Sequence, residues 1–444
     1  MTFHNCLAIS VAGRFPFFVE YSTFAEMRAF GKREREIWIG MGLSLGLTLT
    51  IMAIYGFNGF QWLERHTYDM RLNLRGAQPV ESPILLVLND EQTFTHLGVA
   101  PSRVSRTHYA QAIHHLKQAK AKLIILDIIF ADAGEAEEDH LLAEALAQAD
   151  NTVLARYIGP DQTIAPLQVL RKAARGEGLI NIRPDTDGVL RSMPLLGMGY
   201  AENQLRPFVT LGAEAARLYL DPEGALPLNV DTPGLVRLGT LKIPVSHNTT
   251  LINFAGPPGT FSSLPFWQIV KGAFPSEQVY DKIVLIGSSA ATMQDFHLTP
   301  FAQKETTTLQ GQPTTVSGTS MPGVEVHANL LHMFLTQQFI TRSSAKLTFM
   351  MIAALGCVCC LLIVLIPRGE LGVVLGVIGF LGSVSGLSLY LFINHHYWLD
   401  TVPLIATING HFGLASAYQR YLVVRQRNRL QAMLSESVKE DQKD

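Results

Sequence analysis

Apolar residues are unevenly spread along this chain. One long apolar run, Ile37–Phe57, lies near the start, and three lie close together near the end, at Leu347–Ile366, Leu371–Asn394 and Thr401–Tyr418. Each is about 20 residues long, enough to cross a hydrocarbon core of ~30 Å as a helix. Trp38, Trp62, Tyr397 and Trp398 fall at or near the ends of these runs, where aromatic rings favour the membrane interface. The pattern predicts four transmembrane helices, one before and three after a long polar–apolar segment. The first run reads as a retained anchor. It begins after 36 residues, and Gln61-Trp62-Leu63-Glu64-Arg65 follows it where a cleaved signal would show small residues.

Inside the long segment the period changes. Ile84–Asn89 is a continuous apolar run, followed by a helical pattern over Arg106–Lys120 with Tyr109, Ile113 and Leu116 on one face. Leu123–Phe130 is again apolar, Asp139–Ala149 is helical by composition, and Thr152–Ile158 reads as a strand. Continuous apolar strands alternating with helices imply a parallel sheet covered on both faces. Leu179–Leu195 and Leu235–Val245 hold short strands with turns at Asp187-Gly188 and Pro233-Gly234, and pairing there is expected to be antiparallel. A helix opened by Pro207 is expected over Pro207–Leu220. The parallel pattern returns with Thr250–Phe254, a helix over Leu264–Gly272, a strand over Lys282–Gly287 and a helix over Val324–Gln337 that runs nearly straight into the second span. Gln303–Ser320, rich in Thr, Gly and Gln, is expected to be a mobile surface loop. The fold class is therefore an α/β domain with a mainly parallel sheet and a smaller antiparallel part, joined to four transmembrane helices.

Lys and Arg placement orients the chain. Arg28, Lys32, Arg33 and Arg35 precede the first span, Arg368 lies between the second and third, and Arg420, Arg425, Arg427 and Arg429 follow the fourth. The loop His395–Asp400 has neither Lys nor Arg. Both termini inside satisfies the positive-inside bias at every loop. The expected organisation is a cytoplasmic segment 1–36, a span 37–57, an extracytoplasmic domain 58–345, three spans within 346–418 and a cytoplasmic tail helix 419–444. The expected place is a bacterial inner membrane.

Composition narrows the chemistry. Charged residues make up only 16% of the chain and the net charge is −2, so no basic surface for nucleic acid is expected. Cys6, Cys357, Cys359 and Cys360 all lie outside the large domain, which must fold without disulfides and offers no thiol nucleophile. The Cys-x-Cys-Cys cluster admits a soft metal or a redox switch, with polarizable residues at helix contacts as the plainer reading. Gly287-Ser288-Ser289-Ala290-Ala291 lacks the second Gly of a nucleophile elbow, and no phosphate loop occurs. Asp185-Thr186-Asp187-Gly188 lacks a first calcium ligand, since Arg183 stands there. His114-His115, His395-His396 and the pair His327/His332 lack metal-site spacing and read as solvated or capping histidines. No metal, no catalytic residue and no particular cofactor is indicated, and no enzyme activity is expected.

Polar groups do collect where parallel strands end, which is where open α/β sheets bind ligands. Asp90 and Glu91 follow the first strand, Asp127 lies late in the second, and Ser288, Ser289 and Asp295 follow Ile283–Ile286. A Gly-Ser-Ser turn opening a helix would present N–H groups to an anion. Capping helices and closing turns is the plainer reading of the same residues.

These pieces resemble the type 2 CHASE domain, the extracellular sensory module of bacterial adenylate cyclases, histidine kinases and serine/threonine kinases. The matching motifs run in order: Tyr68-Asp69-Met70-Arg71-Leu72; Asp90 with Pro101-Ser102-Arg103; Ala121–Phe130 with its Asp127; Asp187-Gly188-Val189-Leu190-Arg191; Ile252–Gly256; Lys282–Ala290 with Asp295 and Thr299-Pro300; and Met321–Asn329. The resemblance covers about residues 60–340, and three C-terminal spans are usual in the family. It adds Arg103 and Arg191 to the candidate ligand-binding set of Asp90, Asp127, Ser288, Ser289 and Asp295. The sequence departs from the family pattern at Asn89-Asp90-Glu91-Gln92, so no binding role passes to Glu91. It also departs in having no effector domain after the last span. The tail places Leu430, Leu434 and Val438 at helical spacing, suited either to a short dimeric coiled coil or to a solvated membrane-flanking helix.

The expected function is a membrane sensor that detects a signal or binds a partner outside the cytoplasm and relays it through the bilayer. The recipient is a separate effector, and the expected partners are the lipid bilayer and either a second copy or a membrane or cytoplasmic effector protein. A docking subunit of an envelope assembly and the receptor fragment of a longer cyclase or kinase are the alternatives.

Overall fold

A computed structural model of the chain describes residues 17–159, 162–201, 204–221, 228–232, 234–239, 241–246, 248–302, 304–309, 312–317, 320–365 and 370–441. Cys6 and Arg368 lie outside the described residues, as do the side chains of Arg28, Lys32 and Arg33. The chain divides into two compact units. One takes in the chain up to Glu64, Ser343–Ser388 and the chain from Asp400 onward, and the other is Arg65–Arg342 with Leu389–Leu399.

The first unit is helical. Its long helices are α1 (Phe17–Gly56), α10 (Ala345–Leu365), the first part of α11 (Glu370–His395) and α12 (Val402–Asp441). Among the described residues, three stretches are long and apolar enough to cross a membrane: Ile37–Gly56, Ala345–Leu362 and Gly376–His395. The fourth expected span, Thr401–Tyr418, forms the first half of α12 and is not among the three. Its apolar character is diluted by Thr407, Asn409 and His411. Thr407 and His411 are buried. Thr48 Oγ1 of α1 lies 3.3 Å from His411 Nε2, and His411 Nδ1 lies 2.8 Å from the Thr407 carbonyl. Small residues let these helices approach: a Cβ on Gly356 would collide with Thr48, and one on Gly410 would sit 3.2 Å from Leu47. Polar residues close the end of the bundle, where Tyr55 donates to Asp400 Oδ2 at 2.8 Å and the Asp400 N–H donates to Ser343 Oγ at 3.1 Å. Of the cysteine cluster, Cys359 is buried and Cys357 exposed. The tail is helical and continuous with α12, its Leu430 and Leu434 exposed.

The second unit is the α/β domain. Its sheet is built from β1 (Ile84–Asn89), β2 (Leu123–Leu126), β3 (Thr152–Ile158), β4 (Gly176–Leu179), β5 (Ser263–Pro265) and β6 (Ile283–Ser288). They lie in the order β5-β1-β6-β2-β3-β4, all parallel. Thr163–Ile164 adds a two-residue antiparallel edge to β3. Alternate strand residues point to opposite faces. Leu85, Val87, Ile124, Leu126 and Ile286 pack under α3 (Glu91–Leu97), α4 (Arg106–Gln118), α5 (Ala136–Ala149), α6 (Gln168–Ala173) and α8 (Phe266–Val270). Ile84, Leu86, Ile125, Val153 and Leu285 pack on the other face with α2 (Gln61–Arg75), α7 (Leu211–Leu220) and α9 (Gly323–Thr336). Antiparallel pieces flank the sheet, among them Leu196–Ala201 with Gln204–Val209 and a three-stranded set within 228–244.

Several expectations need correction. Pro207 lies in a strand, and α7 starts after Thr210, whose hydroxyl accepts from the Ala213 N–H at 3.3 Å; a capping side chain outweighed the proline signal. The strand expected at Thr250–Phe254 is Thr249–Leu251 and pairs antiparallel with Ser192–Pro194, not with the main sheet. The stretch Gln303–Ser320 contains an antiparallel ribbon, Lys304–Leu309 with Gln312–Ser317, where a loop was expected. Its Thr-rich composition suits a strand once each residue has a cross-strand partner. The helix α9 does not run straight on. It stops at Gln337, which is left-handed with φ 56°, and Thr341–Arg342 then pairs as a short strand with Tyr397–Trp398.

Candidate functional site

The carboxyl ends of β1, β2 and β6 form a ridge, and the first turns of α9 pack beneath it. Glycine makes the close packing possible. A Cβ on Gly287 would lie 2.5 Å from Val324 Cβ and 3.3 Å from Asp127 Cβ. Gly323, the first residue of α9, is pressed against the Asp295 carboxylate, which a Cβ there would strike. That carboxylate sits where the positive end of the helix dipole favours a negative charge.

Two residues from different elements meet under the ridge. Asp127 follows β2 with a side chain 5% exposed, and His327 on α9 is 1% exposed; Asp127 Oδ1 and His327 Nε2 are 3.9 Å apart. Burial disfavours charge on both groups. It pushes the Asp127 carboxyl up to about 8, with the charge of Asp295 adding to the effect. It pushes the His327 imidazole down to about 4, against the pull of Asp295. At neutral pH the two face each other as a neutral acid and a neutral ring, not as a salt bridge. His327 Nδ1 is buried without a hydrogen-bond partner. Above them, the 44% exposed Asp295 lies 3.1 Å from His297 Nε2. A charge arriving at the Asp295 end would act directly on the proton held by Asp127. His327 and His332 therefore correct the expectation of solvated or capping histidines: both are buried on α9.

The remaining candidates divide. Asp90 is a capping residue, its Oδ1 accepting from the Thr93 N–H at 2.7 Å. Glu91 accepts from the Thr292 N–H at 3.3 Å. Arg103 lies exposed on a one-turn 3-10 helix, Pro101–Arg103. Ser288 Oγ accepts from the Ala290 N–H at 3.4 Å, and the Ser289 N–H donates to the Asn89 carbonyl. Only a 3-10 turn, Ala291–Met293, follows them. The expected anion cradle at a helix start is thus absent there, since the Ser289 N–H is spent and no full helix follows.

Arg191 stands apart from the ridge and is saturated. Its guanidinium, 3% exposed, grips Asp69 of α2 through two bonds of 2.7 and 2.6 Å, Asp185 at 2.8 Å and Asp187 through two bonds of 3.0 Å. It ties α2 to the Asp185–Gly188 turn. Among the described residues, no group of three or more His, Cys, Asp or Glu is arranged to hold a metal ion.

Sequence reasoning missed α9 as a hub. Glu325 is buried and accepts from the Gly259 N–H at 2.8 Å and the Thr260 N–H at 3.1 Å. Asn329 Oδ1 accepts from the Ala255 N–H at 2.7 Å, and His332 Nδ1 lies 2.8 Å from Ser82 Oγ. The available signal was a helix apolar on nearly every side, the pattern of an enclosed helix, with Glu325, His327, Asn329 and His332 set into it as isolated polar residues.

No curated protein and no solved structure matches the chain. A family match extends over residues 46–366, reaching beyond the outer motifs into α1 and α10. It takes in well over half of the sequence. The chain belongs to the CHASE2 domain family, a family of extracellular sensory domains.

Proposed function

We propose that this protein is a multi-pass sensor of a bacterial inner membrane, without enzymatic activity of its own. Its α/β domain faces away from the cytoplasm, detects a signal at the ridge and relays it to a separate effector. The first half of α12 is the fourth span, its His411 and Thr407 turned toward the other helices, as intramembrane polar groups are. Both termini are then cytoplasmic.

The observation that carries this reading is α9. One helix reads the ridge through His327, the Gly259–Thr260 turn through Glu325 and the Ala255 backbone through Asn329. Only eight residues separate its last residue, Thr336, from the start of α10. A change at Asp127 thus has a short route to the membrane helices through a single packed element.

The test is photocross-linking in cells from a probe residue placed at Leu430 of the tail. A sensor predicts that Asp127→Asn changes which proteins are captured, or how much of them. The same stoichiometric partner, captured identically in wild type and variant, would instead support a docking subunit.

A further inference from the structure

A second feature lies at the opposite edge of the sheet. A cleft of about 380 Å³ is walled by α6, β4, α7 and the strand Gln204–Val209. Four arginines line it: Arg171, Arg175, Arg206 and Arg217. Two acids share the wall, and both are already engaged. Glu214 is held by Arg217 through bonds of 2.9 and 2.6 Å, and Glu177 is held by the buried Arg156 at 2.8 Å. Phe208 lies between two guanidinium groups, Arg156 at 4.2 Å and Arg206 at 5.2 Å from its ring centre. Arg171 Nε is buried there with no hydrogen-bond partner.

Asp150 lies 3.9 Å from Arg175, and Asp221 acts on Arg217 beside Glu214, so five arginines face four acids and the positive excess in this concave place is carried by Arg171 and Arg206. Like charges held together cost energy unless a counter-charge arrives. The cleft volume falls in the range of small-molecule sites, while its arginine lining suits oxyanions through paired N–H donors and disfavours an apolar ligand. We infer that this cleft is a binding site for a small oxyanion ligand, a phosphorylated or polycarboxylated molecule, held by Arg171 and Arg206. The site is also placed to reach α9. Glu214 and Arg217 belong to α7, and α7 touches α9 so closely at Gly212 that a Cβ there would sit 3.0 Å from Leu330 Cβ and 3.2 Å from the His327 carbonyl. The inference rests on the cleft alone and stands or falls separately from sensing at the ridge.

The experiment is a thermal-shift titration of the full chain in detergent with inorganic phosphate, glucose 6-phosphate and citrate, each against sodium chloride of equal ionic strength. A saturable rise in melting temperature with at least one of the three is expected, and the tightest of them separates phosphoryl from carboxylate recognition. Arg206→Glu, at an exposed position, and Arg171→Gln should each weaken that binding about tenfold or more. Both should melt near the wild-type temperature without anion. No saturable shift with any of the three, or a shift unchanged in both variants, overturns the site.

Discussion

Replacing Asp127 by Asn should remove a specific part of the pH dependence of stability. The folded carboxyl titrates near 8 and the unfolded one near 3.8. An acid raised in this way stabilises the fold fully below its unfolded pKa, and the contribution is lost as pH rises through the folded value. His327 works in the opposite direction, with 6.5 unfolded and about 4 folded. A base lowered in this way contributes stability above 6.5 that is lost as pH falls toward 4. Between about 4 and 6.5 the two slopes cancel, because the folded pair and the unfolded pair bind the same number of protons. Above 6.5 only Asp127 remains, and it costs about 1.4 kcal/mol per pH unit, or about 2 kcal/mol by pH 8. For a domain of this size that is a fall in melting temperature of roughly 4–8 °C. Asn mimics the neutral acid, so Asp127→Asn should flatten the profile from pH 6.5 to 8 and melt above wild type at pH 8. The assay is a melt of the detergent-solubilised chain at half-unit steps from pH 5 to 8.5. A variant that keeps the wild-type slope, or that melts below wild type at pH 8, would refute the neutral-pair assignment.

Three further outcomes follow from the same geometry. Gly287→Ala should overpack the contact with Val324 and cost about 1–3 kcal/mol, and adding Val324→Ala should recover part of that loss in a double-mutant melt. Arg191→Met should destabilise by about 3 kcal/mol or more, since it leaves Asp69, Asp185 and Asp187 without their shared cation; Arg191→Lys should recover little, because an ammonium cannot make the five bonds of the fork. In intact cells on a cysteine-free background, Glu277→Cys should react with an impermeant maleimide and Arg427→Cys only after permeabilisation; the reverse pattern would invert the proposed orientation.

The layered sheet was readable because its strands are buried on both faces. The sequence pattern predicted β1 and β3 to the residue. β2 ends earlier than its apolar run because the chain leaves the sheet at Asp127, which no periodicity reveals. The candidate site was half legible. Asp127 and Asp295 follow strand ends in the sequence, so topology alone brings them to the ridge. Their partner His327 sits about 200 residues from Asp127, and nothing local distinguishes an enclosed histidine from a solvated one. Arg191 illustrates the converse: Asp185 and Asp187 are its sequence neighbours, yet Asp69 arrives from α2, and together they leave it no capacity for a ligand. The basic cleft was invisible because its arginines come one or two at a time from segments that each look like ordinary solvated surface.

The relay through α9 is the central claim, and hydrogen–deuterium exchange on the chain in lipid nanodiscs tests it most directly. Wild type, with Asp127 partly ionised at pH 8, is compared with Asp127→Asn, locked neutral. The account predicts that exchange differs along α9, across residues 337–344 and into the first turns of α10. A difference confined to the ridge, residues 124–130 and 287–298, with α9 and α10 unchanged, would contradict it.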